Sequence, residues 1–370
     1  MQNLVLYRKY RPKSFSEVIG QEHVVRTLKN AIEAGTVSHA YLFSGPRGSG
    51  KTSIARILAK AVNCESRKGA EPCNKCPACM EIDQGRAMDL VEIDAASNRG
   101  VDEMRELREG IGFSPSRLKY KVFIIDESHQ LTKEASNALL KTLEEPPSHA
   151  IFILATTEAS KMIPTIVSRC QRFDFRKLTS EEIVKKLETI VKAEKTKVQK
   201  QALDLIASAA TGSARDAESL LDQVLTYGAA AQKEEIEAEE IKNLLGLVDV
   251  NLIAELVDLI IARKVKEAIG FLNEIFKKGK DPQEFTKSLI SYLRQVLILQ
   301  INPDLIDEAV IALTKEEKEK MQLQVKTFKE ENLRRALRLF LKAENEMKYS
   351  FIPQLPLELA VIESLKEDGI

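Results

Sequence analysis

Net charge of either sign is missing from this chain: 55 Lys and Arg balance 55 Asp and Glu across 370 residues. Non-specific nucleic-acid binding is driven by an excess of positive charge that neutralises phosphates. Zero net charge therefore excludes a general polycation, and any DNA contact has to come from a local, organised surface. No run of 18 apolar residues occurs, which leaves no candidate membrane span. The opening residues Met1–Tyr10 lack the long apolar stretch of a secretory leader, so a cytoplasmic protein is expected. Only four histidines occur, His23, His39, His129 and His149. They show no ligand spacing and read as packing or surface residues. No internal repeat is present. What the chain does have is 44% hydrophobic content, enough core for two or three domains at this length.

The most specific pattern is Gly45-Pro46-Arg47-Gly48-Ser49-Gly50-Lys51-Thr52, followed by Ser53. It fits G-x-x-x-x-G-K-T, the phosphate-cradling P-loop. The preceding run Ala40–Ser44 reads as a strand and the following Thr52–Lys60 as a helix, which is the context that loop needs. Glycines let backbone N–H groups turn toward phosphate oxygens, and the helix N-terminus adds partial positive charge. Lys51 can reach the β- and γ-phosphates, and Thr52 can ligate Mg²⁺. The chain is expected to bind a nucleoside triphosphate.

Along the chain, strand-like runs at 40–44, 90–94, 121–126 and 150–155 alternate with helical patterns at 21–34, 52–63, 101–110, 133–144 and 162–167. Short apolar runs of this kind suit buried parallel strands, and the alternation predicts an α/β domain over 1–176 with its ligand at the carboxyl ends of the strands. Strands then stop. Thr179 or Ser180, followed by acids, is a helix N-cap signature, and helices at 180–194, 198–211, 214–227 and 238–246 predict an all-α lid over 177–246. Residues 247–370 read as a third, wholly helical domain, with periodic segments at 250–262, 264–277, 282–300, 314–326, 330–349 and 355–366.

A second chemical signal is Val122-Phe-Ile-Ile-Asp126-Glu127, an apolar strand ending in two acids. Beside a P-loop, Asp126 is expected to help hold the Mg²⁺ shell and Glu127 to take a proton from the attacking water. Asp126-Glu-Ser-His129 also spells the DExH pattern of some helicases, without further helicase motifs downstream. A third signal is Cys64, Cys73, Cys76 and Cys79, spaced C-x8-C-x2-C-x2-C. Four thiolates at short spacing can close a tetrahedral Zn²⁺ site, and a cytosolic setting disfavours the alternative of disulfides. A structural zinc module over 64–79 is expected, inserted after the P-loop helix; Cys170 stands apart from it. Thr157, at the tip of the strand beside the Asp-Glu strand, can orient water or touch the γ-phosphate, or be plain turn chemistry. Arg169, in Ser168-Arg-Cys170, suits either an arginine finger or a surface salt bridge. Arg215 opens a lid helix from which it could reach the phosphates.

Together these residues resemble the AAA+ clamp-loader ATPases of bacterial DNA polymerase III. The resemblance is carried by Tyr7-Arg-Lys-Tyr-Arg-Pro12, Phe15, Val18-Ile-Gly-Gln21, His39-Ala-Tyr-Leu-Phe43, the P-loop, the four cysteines, Asp126-Glu-Ser-His129, Leu139–Pro147, Ser168-Arg-Cys170 and Gly212-Ser-Ala-Arg-Asp216. It is dense over about 1–245 and weaker beyond. It implies that Tyr7, Arg11, Pro12, Val18 and Ile19 frame the adenine, that Thr157 and Arg215 are first and second sensors, and that Arg169 acts in a neighbouring subunit's ATP site. It also implies a collar over 247–370 that assembles copies of this chain with delta and delta-prime subunits, no membrane, and an ATPase that opens a sliding clamp and is triggered by primer-template DNA. Ser97, Asn98 and Arg99, at the start of the 101–110 helix, are nominated for DNA phosphates, since helix N-termini bind these without sequence readout. Longer family forms carry a C-terminal extension that binds helicase and polymerase; the sequence runs to Ile370, either a short form or a shortened one, and coupling to helicase or polymerase is not predicted from it. Two alternatives remain at this point. One is a DNA-translocating AAA+ motor of the branch-migration type, which would carry a winged domain at the C-terminus. The other is a catalytically silent scaffold, which would tolerate a broken P-loop.

Overall fold

The computed structural model describes residues 4–97, 110–231, 235–244, 249–303 and 315–365. These fall into two compact units, 1–197 with 206–234, and 198–205 with 235–370.

The first unit is built on five strands: β1 (Ala40–Ser44), β2 (Leu90–Asp94), β3 (Lys121–Asp126), β4 (Ala150–Thr156) and β5 (Gln171–Asp174). They form one sheet in the order β2-β3-β4-β1-β5, with every neighbouring pair parallel. β1 and β4 are buried along their whole length, because helices cover both faces of the sheet. Successive residues therefore feed two separate cores. Tyr41, Phe43, Ile124 and Ile153 pack with the helices Glu22–Ala34 and Lys51–Asn63. Leu42, Phe123, Ile125 and Phe152 pack with the helix Lys133–Glu144, where Phe123 and Phe152 stack at 5.2 Å.

Strand register gathers polar residues at one edge. Ser44 pairs with Thr156 on one side and Asp174 on the other, and Asp94 pairs with Asp126. That edge is the carboxyl end of the sheet, where open α/β folds bind ligands.

Four strands match the sequence expectation. β5 was not read, for a physical reason: only Phe173 of Gln-Arg-Phe-Asp is buried, so the segment carries no apolar run. The short helices Leu6–Lys9 and Pro77–Asp83 also fell below the length at which periodicity shows. Of the expected 101–110 helix, 101–109 lie outside the described residues.

The same unit continues with the helices Ser180–Ala193 and Ala214–Ala230. Thr179 is the N-cap of the first, with Glu182 returning a bond to the cap backbone in a full capping box. Ser213 caps the second through the Asp216 amide.

The second unit is helical among its described residues, with long helices at Val250–Ile261, Val265–Lys277, Pro282–Ile301, Lys315–Thr327, Glu330–Met347 and Leu355–Leu365. Phe285, Leu289, Leu293 and Val296 recur at helical spacing and meet Leu333, Phe340, Leu357 and Val361 in one core. Gln324, buried in that core, accepts from the Tyr292 hydroxyl at 2.7 Å and donates to the Ala254 carbonyl at 2.8 Å. Among the described residues no helix is long and apolar enough to cross a membrane.

Candidate functional site

The segment between β1 and the helix Lys51–Asn63 wraps the sheet edge as a loop whose backbone requires glycine. Gly48 has φ +73, and a Cβ there would collide with the Ser213 hydroxyl. The Gly48 carbonyl also accepts from the Ala214 amide at 3.2 Å, so the loop touches the start of the helix Ala214–Ala230. A Cβ on Gly45 would likewise run into the Phe175 carbonyl.

Lys51 is 6% exposed. Its ammonium donates to the carbonyls of Gly45 at 2.7 Å and Pro46 at 2.9 Å. Burial pulls its pKa below the usual lysine range, while the carboxylates of Glu127 and Asp126 oppose that shift. The Thr52 hydroxyl donates to Asp126 Oδ2 at 2.7 Å. These two oxygens are a matched hard-oxygen pair of the kind that holds Mg²⁺.

Glu127 follows β3 in the left-handed region, φ +47, a conformation uncommon for a non-glycine residue. Its Oε2 accepts from the Thr157 hydroxyl at 2.8 Å and the Thr157 amide at 3.3 Å. Thr157 therefore holds the carboxylate directly. His129 is packed, as expected, but packed inside this polar network: its Nδ1 lies 3.0 Å from Thr156 Oγ1 and 3.5 Å from Glu127 Oε2.

Lys51, Thr52, Asp126 and Glu127 line one open cleft of about 160 Å³; Gly45, Thr157 and His129 are not among its lining residues. Arg47, Gly48, Ser49, Gly50, Lys51, Thr52 and Ser53 form one wall with Asp126 and Glu127. Tyr7, Arg11, Pro12, Val18, Ile19 and Arg215 also line it. The Arg215 guanidinium lies 4.8 Å from the Tyr7 ring centroid, a cation–π distance. Hydrogen bonds from Arg215 and Arg8 lower the Tyr7 hydroxyl pKa.

Arg169, Ser97 and the four cysteines do not line the cleft. Arg169 is in an ion pair with Glu144 at 2.6 Å and donates to the Thr165 carbonyl at 2.8 Å. Ser97 gives its hydroxyl to Asp94 Oδ2 at 3.2 Å; Asn98 and Arg99 lie outside the described residues. The sulfurs of Cys64, Cys73, Cys76 and Cys79 all lie within 4.8 Å of one another, with Cys73–Cys79 and Cys64–Cys76 at 4.0 Å. Four sulfurs at about 2.3 Å from one zinc ion would sit about 3.8 Å apart, so the cluster is near that geometry without further movement. Amide donors from Lys75 and Cys76 pull the Cys73 thiol down to about 6, which favours a thiolate. Cys170 is not among these sulfurs.

Glu17, Ile54, Leu178, Lys186, Ala214 and Glu218 also line the cleft and were not read as site residues from the sequence. Of these, Lys186 is on the helix Ser180–Ala193 and Glu218 on Ala214–Ala230. Lys186 Nζ lies 2.6 Å from Glu218 Oε1 in a buried ion pair. Burial raises the Glu218 pKa, and the charge and hydrogen bond of Lys186, with the charge of Arg11, oppose the rise. Glu218 stands three positions after Arg215, on the same helix face; that spacing was the one signal available for it.

Known proteins resemble the chain over nearly its whole length. The family model for the DNA polymerase III delta subunit matches residues 20–179. That for the ATPase lid domain of the DNA polymerase III clamp loader subunit matches 182–230, and that for domain III of subunits gamma and tau matches 236–367. DNA polymerase III subunit tau of Bacillus subtilis is 46% identical over 363 residues, 98% of this chain and 63% of that protein. Tau of Escherichia coli is 38% identical over 367 residues, 99% of this chain and 56% of its own length. The chain thus spans about three fifths of these longer relatives. Subunit gamma of Buchnera aphidicola subsp. Schizaphis graminum is 35% identical over 367 residues, 99% of both chains. In fold alone, the chain is similar to the Thermotoga maritima RuvB Holliday junction branch migration motor. That likeness has a TM-score of 0.50 and 22% identity, covering 68% of this chain and 79% of the other. On the strength of a gamma-subunit relative matched over 99% of both chains and of the gamma and tau domain III model, the chain belongs to the gamma/tau family of DNA polymerase III subunits.

Proposed function

We propose that the chain is an ATPase motor subunit of a DNA polymerase III clamp loader. In this reading ATP binding drives opening of the sliding clamp, and primer-template DNA triggers hydrolysis and clamp release. The observation that carries it is the convergence of Lys51, Thr52, Asp126 and Glu127 on one cleft in a chain of this family. A silent scaffold has no need of all four. A branch-migration motor is disfavoured by the second unit, which is helical among its described residues and matches gamma/tau domain III.

The steps follow from the residues. Lys51 exchanges the carbonyls of Gly45 and Pro46 for phosphate oxygens, while the loop N–H groups through Ser53 surround the phosphates. Thr52 and Asp126 would hold Mg²⁺, which neutralises charge on the phosphates when bound. Glu127 takes the proton from the attacking water, and Thr157 sets its direction. Tyr7, Arg11, Pro12, Val18 and Ile19 frame the adenine. Arg215 reports nucleotide state to the lid, and Arg169 leaves Glu144 to complete the site of a neighbouring subunit. Cys64, Cys73, Cys76 and Cys79 would hold a structural Zn²⁺. We further infer three functional domains, 1–176, 177–246 and 247–370, the last joining copies of this chain to delta and delta-prime subunits in the cytoplasm. DNA would meet the region of Ser97, Asn98 and Arg99.

The test is steady-state ATP hydrolysis by the chain alone, then with delta, delta-prime, sliding clamp and primed DNA. A low basal rate that rises only with the full set is expected. A high rate with the chain alone, stimulated by any DNA and indifferent to the clamp, contradicts the proposal.

A further inference from the structure

The cysteine-bearing segment 64–79 is fastened to the N-terminal part of the chain at two points, neither of them a sulfur. Glu71 Oε2 accepts from the Phe15 amide at 2.9 Å, and its Oε1 pairs with Lys29 at 3.2 Å. Lys60, on the helix Lys51–Asn63, is 1% exposed. Its ammonium meets the Lys13 carbonyl at 2.8 Å, Asn74 Oδ1 at 2.8 Å and Asp83 Oδ1 at 2.7 Å. These acceptors match the three N–H donors of a lysine, so the buried charge is fully satisfied. Asn74 lies between Cys73 and Cys76 in the left-handed region, φ +56, and Asp83 ends the helix that carries Cys79. Lys13 and Phe15 stand between two groups of cleft residues, Arg11 and Pro12 before them and Glu17, Val18 and Ile19 after. Phe15 itself is buried in the core. The regular structure within 11–19 is one short turn, Phe15–Glu17, so contacts from outside the stretch set its course.

We propose that segment 64–79 braces this wall of the cleft, with Glu71 as a positioning residue that acts on a bound nucleotide only through 11–19. The inference rests on the nucleotide reading of the cleft and extends it to a segment that does not line it. Pro12, Val18 and Ile19 carry no side-chain donor or acceptor. This wall therefore offers apolar contact to the nucleoside part, while the glycine loop takes the phosphates. Such coupling is reciprocal: if the brace raises nucleotide affinity, a bound nucleotide favours the braced arrangement by the same factor.

The experiment is calorimetric titration of the full chain with ATP and with tripolyphosphate, which presents phosphates alone. In Glu71→Ala the ATP dissociation constant is expected to rise about tenfold, while that of tripolyphosphate stays within about threefold. Glu71→Gln keeps a carbonyl oxygen for the Phe15 amide and loses the charge pair with Lys29; its ATP affinity stays within about threefold of the unaltered chain. Unchanged ATP affinity in Glu71→Ala overturns the inference. So does an equal loss of ATP and tripolyphosphate, which means general damage to the fold, or an equal loss in both variants, which assigns the effect to Lys29. Hydrogen exchange on the unaltered chain requires no variant to fold. Saturating ATP is expected to slow amide exchange across 64–79, and exchange indifferent to ATP overturns the inference. Failure of the unaltered chain to bind either ligand would instead bring down the nucleotide reading, and this inference with it.

Discussion

Thr157 and Glu127 act as a unit. The threonine hydroxyl and amide both donate to Glu127 Oε2, and in the proposed reaction Glu127 is the general base, which must be aimed before its basicity matters. Thr157→Ala removes the shorter of the two bonds and leaves the backbone one. We expect kcat to fall on the order of 10²-fold in the assembled loader with little change in the KM for ATP. An equal rise in KM would assign Thr157 to nucleotide binding. Residue chemistry was also the most legible level of the sequence. Lys51, Thr52, Asp126 and Glu127 announce themselves by type and spacing, and the fold brings them together. Glu218 does not. A glutamate on a helix reads as a solvated face, and only tertiary packing buries it.

Elements carry their own signals, and their failures are as physical as their successes. Thr179 and Glu182 spell a capping box in sequence, and the structure contains it. The Arg176 ion pair at 2.6 Å, acting with backbone and side-chain bonds from Thr179 and against burial, holds Glu182 well below the ordinary carboxyl range, at about 2. A depressed folded-state pKa adds stability above the unfolded value of 4.5 that is lost as pH falls toward about 2. Thermal melting should show the difference between the unaltered chain and Glu182→Gln shrinking across that window. A constant difference would mean that the pair adds nothing pH-dependent. β5 was missed because an edge strand with one buried side chain, Phe173, leaves no periodic trace. The cysteine element was legible through spacing alone. Its sulfurs, 4.0 Å apart in pairs, predict that a zinc chelator releases metal and melts residues 64–79, since structural zinc supplies roughly 10–16 kcal/mol to small modules. Absence of released metal, with unchanged circular dichroism, would rule the zinc out.

At the scale of the whole molecule the sequence separates an α/β region from a helical one, because strands stop and helical periodicity continues. What it does not show is where a surface arginine points. Arg169 lies in an ion pair with Glu144 and does not line the cleft; in the proposed loader it acts in the site of a neighbouring subunit. Arg169→Ala should leave ATP affinity of the isolated chain unchanged and slow hydrolysis in the assembled loader by on the order of 10³. An unaltered assembled rate would return Arg169 to the status of a surface salt bridge.

Gly48 has a mechanical consequence. Its carbonyl is bonded to the Ala214 amide and its missing side chain leaves room for Ser213, so the phosphate loop bears on the first residues of a 17-residue helix. At 1.5 Å per residue that helix is a rigid arm of about 25 Å, and a tilt of about 5° at its base carries the far end about 2 Å. The contact works as a fulcrum with a long moment arm. In the proposed nucleotide reading, a small settling of the loop around a phosphate would be carried along this arm as a displacement of a few ångströms at its far end.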